Sequence, residues 1–512
     1  MAYKDFDRTL QTSAWHEART ALRDATEIES FRVVLAQIVF SLTQKPTEPD
    51  HDNRDSADGY SQREPMALSP EATPCSIDDD VDECGDLLAK LDLTIEGEGP
   101  PVHLEQGLRL IHALRSKVAM SGVLRNTPGR TKKNFRHSTE SFDTGDRVTV
   151  DLLFWLGVMF DTLSSAMHKR PLVVSDEDSD IFGRKPDAAH TSSMHGHKYS
   201  NSTSSTRPSA DNLWENHLYL NQRPRPEGSP LRWPCSSEQA AALLCDAAPI
   251  KVLLFRKVTR VQTLLSRNVT GERIERALDA ALEVYGHWEI FYAPFIRDCI
   301  DNHDDLPPRI QSWYVCLTGH WHLATLLLAD LIRLIDASGL GVASRSQQRA
   351  FSNFLALFRM KNCRDLSDIA SCACPRDDAS FGKSGEFHFA VNQGALLTEP
   401  WTVVLIRAFA KAGVVLLESS ESLENVSAQN DAFERADACV KALWYLGRKS
   451  DMALEAAKIL GAAVKQRRKC LLDKLADVGS LLDADLWEGL DAAAAVAPEV
   501  FGAGDGCIGL ET

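Results

Sequence analysis

The sequence predicts an all-α fold, a large multi-helix bundle with long disordered insertions. Three observations predict it. Apolar residues recur at helical spacing through most of the chain, no convincing series of alternating strand patterns occurs, and three polar stretches interrupt the periodic text. With 512 residues and 44% hydrophobic content, the chain can build a sizeable core, as two or three domains or as one large domain with insertions.

The helices follow in order. Glu29–Pro46 places Phe31, Leu35, Ile38, Val39 and Leu42 on one stripe, and Pro46 stops it. His103–Met120 repeats the pattern with Leu104, Leu108, Ile111, Leu114 and Val118. In the stretch around Trp155, residues Leu152, Leu153, Trp155, Leu156, Met159, Phe160 and Leu163 cover more than one face, which predicts burial inside a bundle. Gln311–Asp336 is the longest apolar candidate, and further helices are expected at Ile274–Val284, Ser346–Phe358, Glu399–Leu417, Gln429–Leu446 and Met452–Leu475. The run "APIKVLLFRKVTRVQTLL" opens like a strand, but its later spacing is helical.

Residues 47–86, 125–147 and 183–230 are too polar to offset chain entropy by burial and read as insertions. The helices on either side need each other, so 1–475 reads as one helical body and 476–512 as an acidic tail. No Lys or Arg follows Lys474, and Ser480–Asp491 interleaves Asp483, Asp485, Glu488 and Asp491 with Leu482, Leu486, Trp487 and Leu490. That pattern suits either an amphipathic segment awaiting a partner groove or a terminal helix packed on the body.

Composition excludes several classes. A net charge of −16 argues against a chain that grips nucleic acid by itself. The basic runs Arg125–His137 and Lys465–Lys469 are short, and suit an import signal or a solvated surface. No stretch reaches the ~18 consecutive apolar residues of a spanning helix, and no membrane partner is expected. Twelve scattered cysteines read as reduced thiols. Cys363, Cys372, Cys374 and His388 lack the paired spacing of a zinc site, and His320 and His322, two apart on a helix, point to different faces. No metal or cofactor is expected. Gly382, Lys383 and Ser384 mimic part of a phosphate loop, but Asp377 stands where its first glycine belongs. No nucleophile elbow, dinucleotide fingerprint or His-Glu-x-x-His occurs, so nothing in the text supports an enzyme.

The stretch "FWLGVMFDTLSSAMHKRPLVVSDED" carries the most specific pattern. Asp161 lies in an apolar helix and must be paired or placed where the helix meets water. Arg170, in the last turn before Pro171, is placed to meet helix-end carbonyls or a carboxylate. The chain beyond it can run back to bring Asp176 or Asp178 to a helix end, which makes a structural clamp.

This stretch resembles the signature of the fungal transcription factor regulatory domain, the middle homology region, matching it at Trp155, Asp161, Arg170, Pro171, Asp176 and Asp178. The blocks "SFRVVLAQIVFSLTQKP" and "PFIRDCIDNHDDLPPRIQSWYVCLTGHWHLATLLLADLI" are also similar to regulators of the ethanol-utilisation type of filamentous fungi. The resemblance runs from about residue 5 to 475. It implies an all-α regulatory bundle, a nuclear location, control of transcription of a metabolic gene set, and residues that shape a regulatory conformation rather than catalyse. The departure is the family's N-terminal binuclear zinc cluster: no Cys-x-x-Cys occurs and the first cysteine is Cys75. The family's DNA contact is therefore not carried over. The expected partners are the transcription machinery or a zinc-cluster protein, with a small-molecule effector between helices as a further expectation. Three other readings stay open: a DNA-binding factor whose zinc cluster lies outside this chain, a repressor competing with full-length relatives for a shared partner, and an enzyme of secondary metabolism with an unrecognised helical site.

Overall fold

In the computed structural model of the chain, the structure describes residues 2–46, 77–97, 99, 101–126, 144–175, 230–374, 394–420 and 425–495. The periodic segments wind into helices, and no strand occurs among the described residues. The helices are α1 (Ala2–Asp24), α2 (Phe31–Ser41), α3 (Ile77–Glu96), α4 (Val102–Asn126), α5 (Thr144–Met167), α6 (Ser237–Ser266), α7 (Glu272–Phe291), α8 (Ala293–Asp301), α9 (Pro308–Ala337), α10 (Ala343–Phe351), α11 (Phe354–Ala373), α12 (Thr402–Ser420), α13 (Val426–Leu446) and α14 (Asp451–Ala495).

Two helices form the centre because their polar faces are narrow, on α12 a single stripe of Arg407, Lys411 and Glu418. In α12, 15 of 19 residues are buried, and α9 is buried on nearly every side from Ile310 to Ile335. They pack on each other, where Gly319 gives the closest approach: a Cβ there would lie 2.3 Å from Leu405 Cδ2. Around this pair, α6 and α11 flank α9, while α13 and α14 flank α12. An amino-terminal layer of α2, α4 and α5 joins the rest through α5 against α6. The early helix α3 packs on the late helix α14, so distant parts of the chain close on each other. Helix starts follow local chemistry: Ser236 and Gln239 make a capping box for α6, and Ser30 and Asn425 cap α2 and α13.

Several expectations change. The run that opens like a strand lies wholly within α6, which continues past Pro249. Ser346–Phe358 is two helices, because Asn353 adopts φ +51° and ends the path between α10 and α11. The stripe on α2 is rotated: Leu35 and Val39 are exposed, while Val34, Gln37 and Ile38 are buried. Gln37 can replace an apolar residue there because its amide donates to the Leu22 carbonyl and its oxygen meets His103 Nδ1 at 2.6 Å. Leu152, counted with the buried face of α5, is 68% exposed. Helix α3 starts at Ile77, inside the stretch read as the first insertion, and the boundary expected at residue 475 falls inside α14. Most of the three expected insertions, and residues 496–512, lie outside the described residues.

Two segments, Gly145–Met167 and Pro308–Ala337, are long and apolar enough by length and composition to cross a membrane, but 72% and 83% of their apolar windows are buried inside the bundle. Burial by other helices accounts for the same composition.

The core predicts a sharp contrast between two phenylalanines. Phe409 is fully buried on α12 and Phe351 is 96% exposed. Replacing Phe409 by Ala should cost about 3–5 kcal/mol in denaturant unfolding, and the same change at Phe351 should leave the transition unmoved within about 0.5 kcal/mol.

Candidate functional site

Helix α5 ends where Lys169 takes φ +53°, and the Arg170 amide turns back to the Ser165 carbonyl at 3.1 Å, as in a Schellman ending. This reversal carries the following residues over the helix that precedes them. The buried Asp161 carboxylate receives them: Val173 and Val174 amides donate to Oδ2 at 2.8 and 3.1 Å, and Arg170 Nη1 lies 2.9 Å from Oδ1. Ser165 Oγ, one turn on, adds contacts at 3.4 Å to Oδ1 and 3.3 Å to the Pro171 carbonyl. The same Pro171 oxygen accepts from Arg170 Nη1 at 3.0 Å. A carboxylate with no exposed surface is thus satisfied by charge and by backbone donors together.

Other helices then reach the open end of α5. Its last carbonyls lack intrahelical partners, and side chains supply them. Gln262 Nε2 on α6 donates to the Ala166 carbonyl at 2.9 Å, and Arg407 on α12 bridges the Met167 and Ile95 carbonyls at 3.1 and 3.2 Å. Arg256 on α6 donates to Thr162 Oγ1 at 2.9 Å and to the Val174 carbonyl at 3.4 Å. The result is a polar hub shared by α3, α5, α6 and α12. The structure brings Asp161, Arg170 and Pro171 together as the sequence expects. Trp155 is half-buried on the same helix, its ring edge-on to Phe154 at 5.6 Å, and points roughly 240° round the axis from Asp161. Asp176 and Asp178 lie outside the described residues.

A second polar cluster was not anticipated. Lys251 on α6, His320 on α9 and Glu399 before α12 are all buried. Lys251 Nζ lies 3.3 Å from His320 Nδ1, and His320 Nε2 lies 2.9 Å from Glu399 Oε2, off the straight line of a good hydrogen bond. An ammonium can only donate, so the proton of a neutral His320 sits on Nε2, facing the carboxylate. Glu399 Oε1 also accepts from the Trp401 amide at 2.9 Å. Burial drives Lys251 and His320 below their ordinary values; burial alone would raise Glu399, but His320, the Trp401 amide and Lys251 hold it down as an anion. Burial and the neighbouring Glu399 charge push the Cys316 thiol up, which favours its protonated form. The sequence signal was a lone Lys inside "IKVLLF" and a His inside an apolar helix.

His322 turns to the opposite side of α9, with Nδ1 2.8 Å from Asn362 Oδ1, so the two histidines of "HWH" share no ion. Among the described residues no three His, Cys, Asp or Glu side chains gather closely enough to hold a metal. His388 and the apparent phosphate-loop residues lie outside the described residues.

A comparison with family models, characterised proteins and solved structures finds no match for the chain.

Two outcomes follow from this geometry. Replacing Asp161 by Ala takes the buried carboxylate from Arg170, which keeps the Pro171 carbonyl and Glu105, and leaves two amides without their acceptor; it should cost about 3–5 kcal/mol, read by urea unfolding. The second concerns acid. Burial lowers the imidazole pKa of His303, His320 and His322 despite the nearby carboxylates Asp304, Glu399 and Asp365. Their folded values lie below the unfolded value of about 6.5, so their stability contribution is full above that pH and is lost as pH falls through the folded values. Unfolding midpoints in urea should therefore decline from pH 7 to pH 5, and His322→Asn should flatten the decline.

Proposed function

We propose that this chain is the regulatory domain of a fungal-type transcription regulator. It is a non-enzymatic helical body working in the nucleus on a metabolic gene set, reaching DNA through a zinc-cluster partner or the transcription machinery. The observation that carries the reading is the hub at Asp161. The signature's carboxylate, guanidinium and proline fold the chain back over the end of α5, and side chains from α6 and α12 meet the carbonyls beside that turn. Such a hub is suited to hold one conformation of a bundle whose shape a partner reads. The net charge of −16 supports a protein-mediated route to DNA over a phosphate-gripping surface. The buried Lys251, His320 and Glu399 side chains are closed on one another, which suits a structural role.

The test is a transcription assay in a filamentous fungus. The whole chain is fused to a heterologous DNA-binding domain and directed to a reporter promoter. The reading expects reporter output to change several-fold, up or down, against the DNA-binding domain alone, and Asp161→Ala to remove the change. A fusion that accumulates in the nucleus with an unchanged reporter would overturn it.

A further inference from the structure

A cavity of about 190 Å³ opens between α7, α8, α9 and α11, lined among others by Trp288, Ile296, Thr318, His322, Lys361 and Asp365. Its apolar lining is Trp288, which stacks on Trp321 with ring centroids 4.1 Å apart, together with Ala293, Ile296 and Ile300. Its size suits a ring-sized guest, since a cavity of about 150 Å³ holds benzene.

Two polar groups on α9, one turn apart, face the same side of the helix. Thr318 is fully buried, and its hydroxyl has no hydrogen-bond partner among the described residues, not even the carbonyl one turn back that helical threonines ordinarily use. Such a group calls for a partner that the protein does not supply. His322 is fixed more tightly. Asn362 Nδ2 donates to the Phe358 carbonyl at 2.7 Å, which turns the amide oxygen toward the imidazole. The proton of His322 therefore sits on Nδ1, and Nε2 is left as an acceptor. Burial, helped by the Lys361 charge from α11, lowers the imidazole pKa against the opposing pull of Asp365 on α11, Asn362 and Glu289 on α7.

The mouth is charged but self-balanced. Lys361 Nζ lies 2.8 Å from Glu289 and 3.3 Å from Asp365, and Arg297 pairs with Asp365 and, at 2.8 Å, with Asp368. A charged guest would have to break these pairs.

We propose that this cavity is a binding site for a small uncharged aromatic alcohol, of the phenol class. Its ring lies against Trp288, its hydroxyl donates to His322 Nε2, and the same oxygen accepts from the Thr318 hydroxyl. The inference stands on the cavity alone and goes beyond the transcriptional reading, since binding is measured without any promoter.

Phenol itself is the probe, titrated into the purified full chain and followed by ligand-observed saturation-transfer NMR and by the thermal midpoint. Binding should saturate at about millimolar phenol or below and raise the midpoint. Anisole, which lacks the donor, should bind about 3–10-fold more weakly, and benzoate should not bind. Ala293→Leu, which fills the cavity, should abolish the signal. Thr318→Val should weaken phenol by about 3–10-fold while leaving the unliganded midpoint unchanged or raised, and it covers the case in which the leucine variant does not fold. The proposal is overturned if wild-type protein gives no saturable phenol signal, if Ala293→Leu folds and binds as before, if Thr318→Val leaves affinity unchanged, or if anisole or benzoate matches phenol.

Discussion

The burial of the Asp161 carboxylate constrains more of this molecule than any single apolar contact. An ion removed from water is tolerated only where charge and hydrogen bonds replace its hydration. At position 161 those replacements come from Ser165, Arg170 and the amides of Val173 and Val174. The chain leaving α5 therefore has one acceptable path, back across the helix it has just left. That path puts the Val174 carbonyl where Arg256 meets it and leaves the Ala166 and Met167 carbonyls pointing at Gln262 and Arg407. Local electrostatics at one residue thereby sets the docking of α5 on α6 and α12.

Apolar packing by itself would leave that docking loosely defined. Helices such as α12, with Val, Leu, Ile and Ala buried over most of its circumference, present similar surfaces when moved by a turn. Polar groups do not tolerate the shift. A one-turn displacement of α6, about 5.4 Å, would strand Arg256 and Gln262 in the interior and empty the carbonyls they serve. It would also part Lys251 from His320. The hydrophobic faces supply the drive to collapse, and the buried polar pairs select the register among collapsed arrangements.

This division explains what was legible beforehand. Spacing of apolar residues is a local property, so α4, α5 and α9 could be read directly, and the burial of Leu104, Leu108 and Ile111 follows from their positions. The pairing of Asp161 with Arg170 was legible for the same reason, because nine residues and one helix end separate them. The Lys251, His320 and Glu399 cluster was not, since its members are 69 and 79 positions apart and meet only once α6 and α9 are docked. The stripe on α2 misled because Gln37 is buried by partners on α1 and α4 that the local text does not contain. The split at Asn353 was missed because a single αL residue interrupts a helix without disturbing its apolar period.

The two histidines of α9 show how satisfaction separates scaffold from site within one helix. His320 lies between two charged groups, Lys251 at 3.3 Å from Nδ1 and Glu399 at 2.9 Å from Nε2. An imidazole enclosed by two charged side chains serves the core. His322, two residues on and facing the other way, is held by Asn362 on Nδ1 alone and borders open volume, with the unpartnered Thr318 hydroxyl one turn below. Evenly polar helices would make these positions equivalent. Their inequality arises because α6 and the segment before α12 close one side of α9 with charged groups, whereas α7, α8 and α11 pair their charges with each other at the rim and leave the floor unfilled.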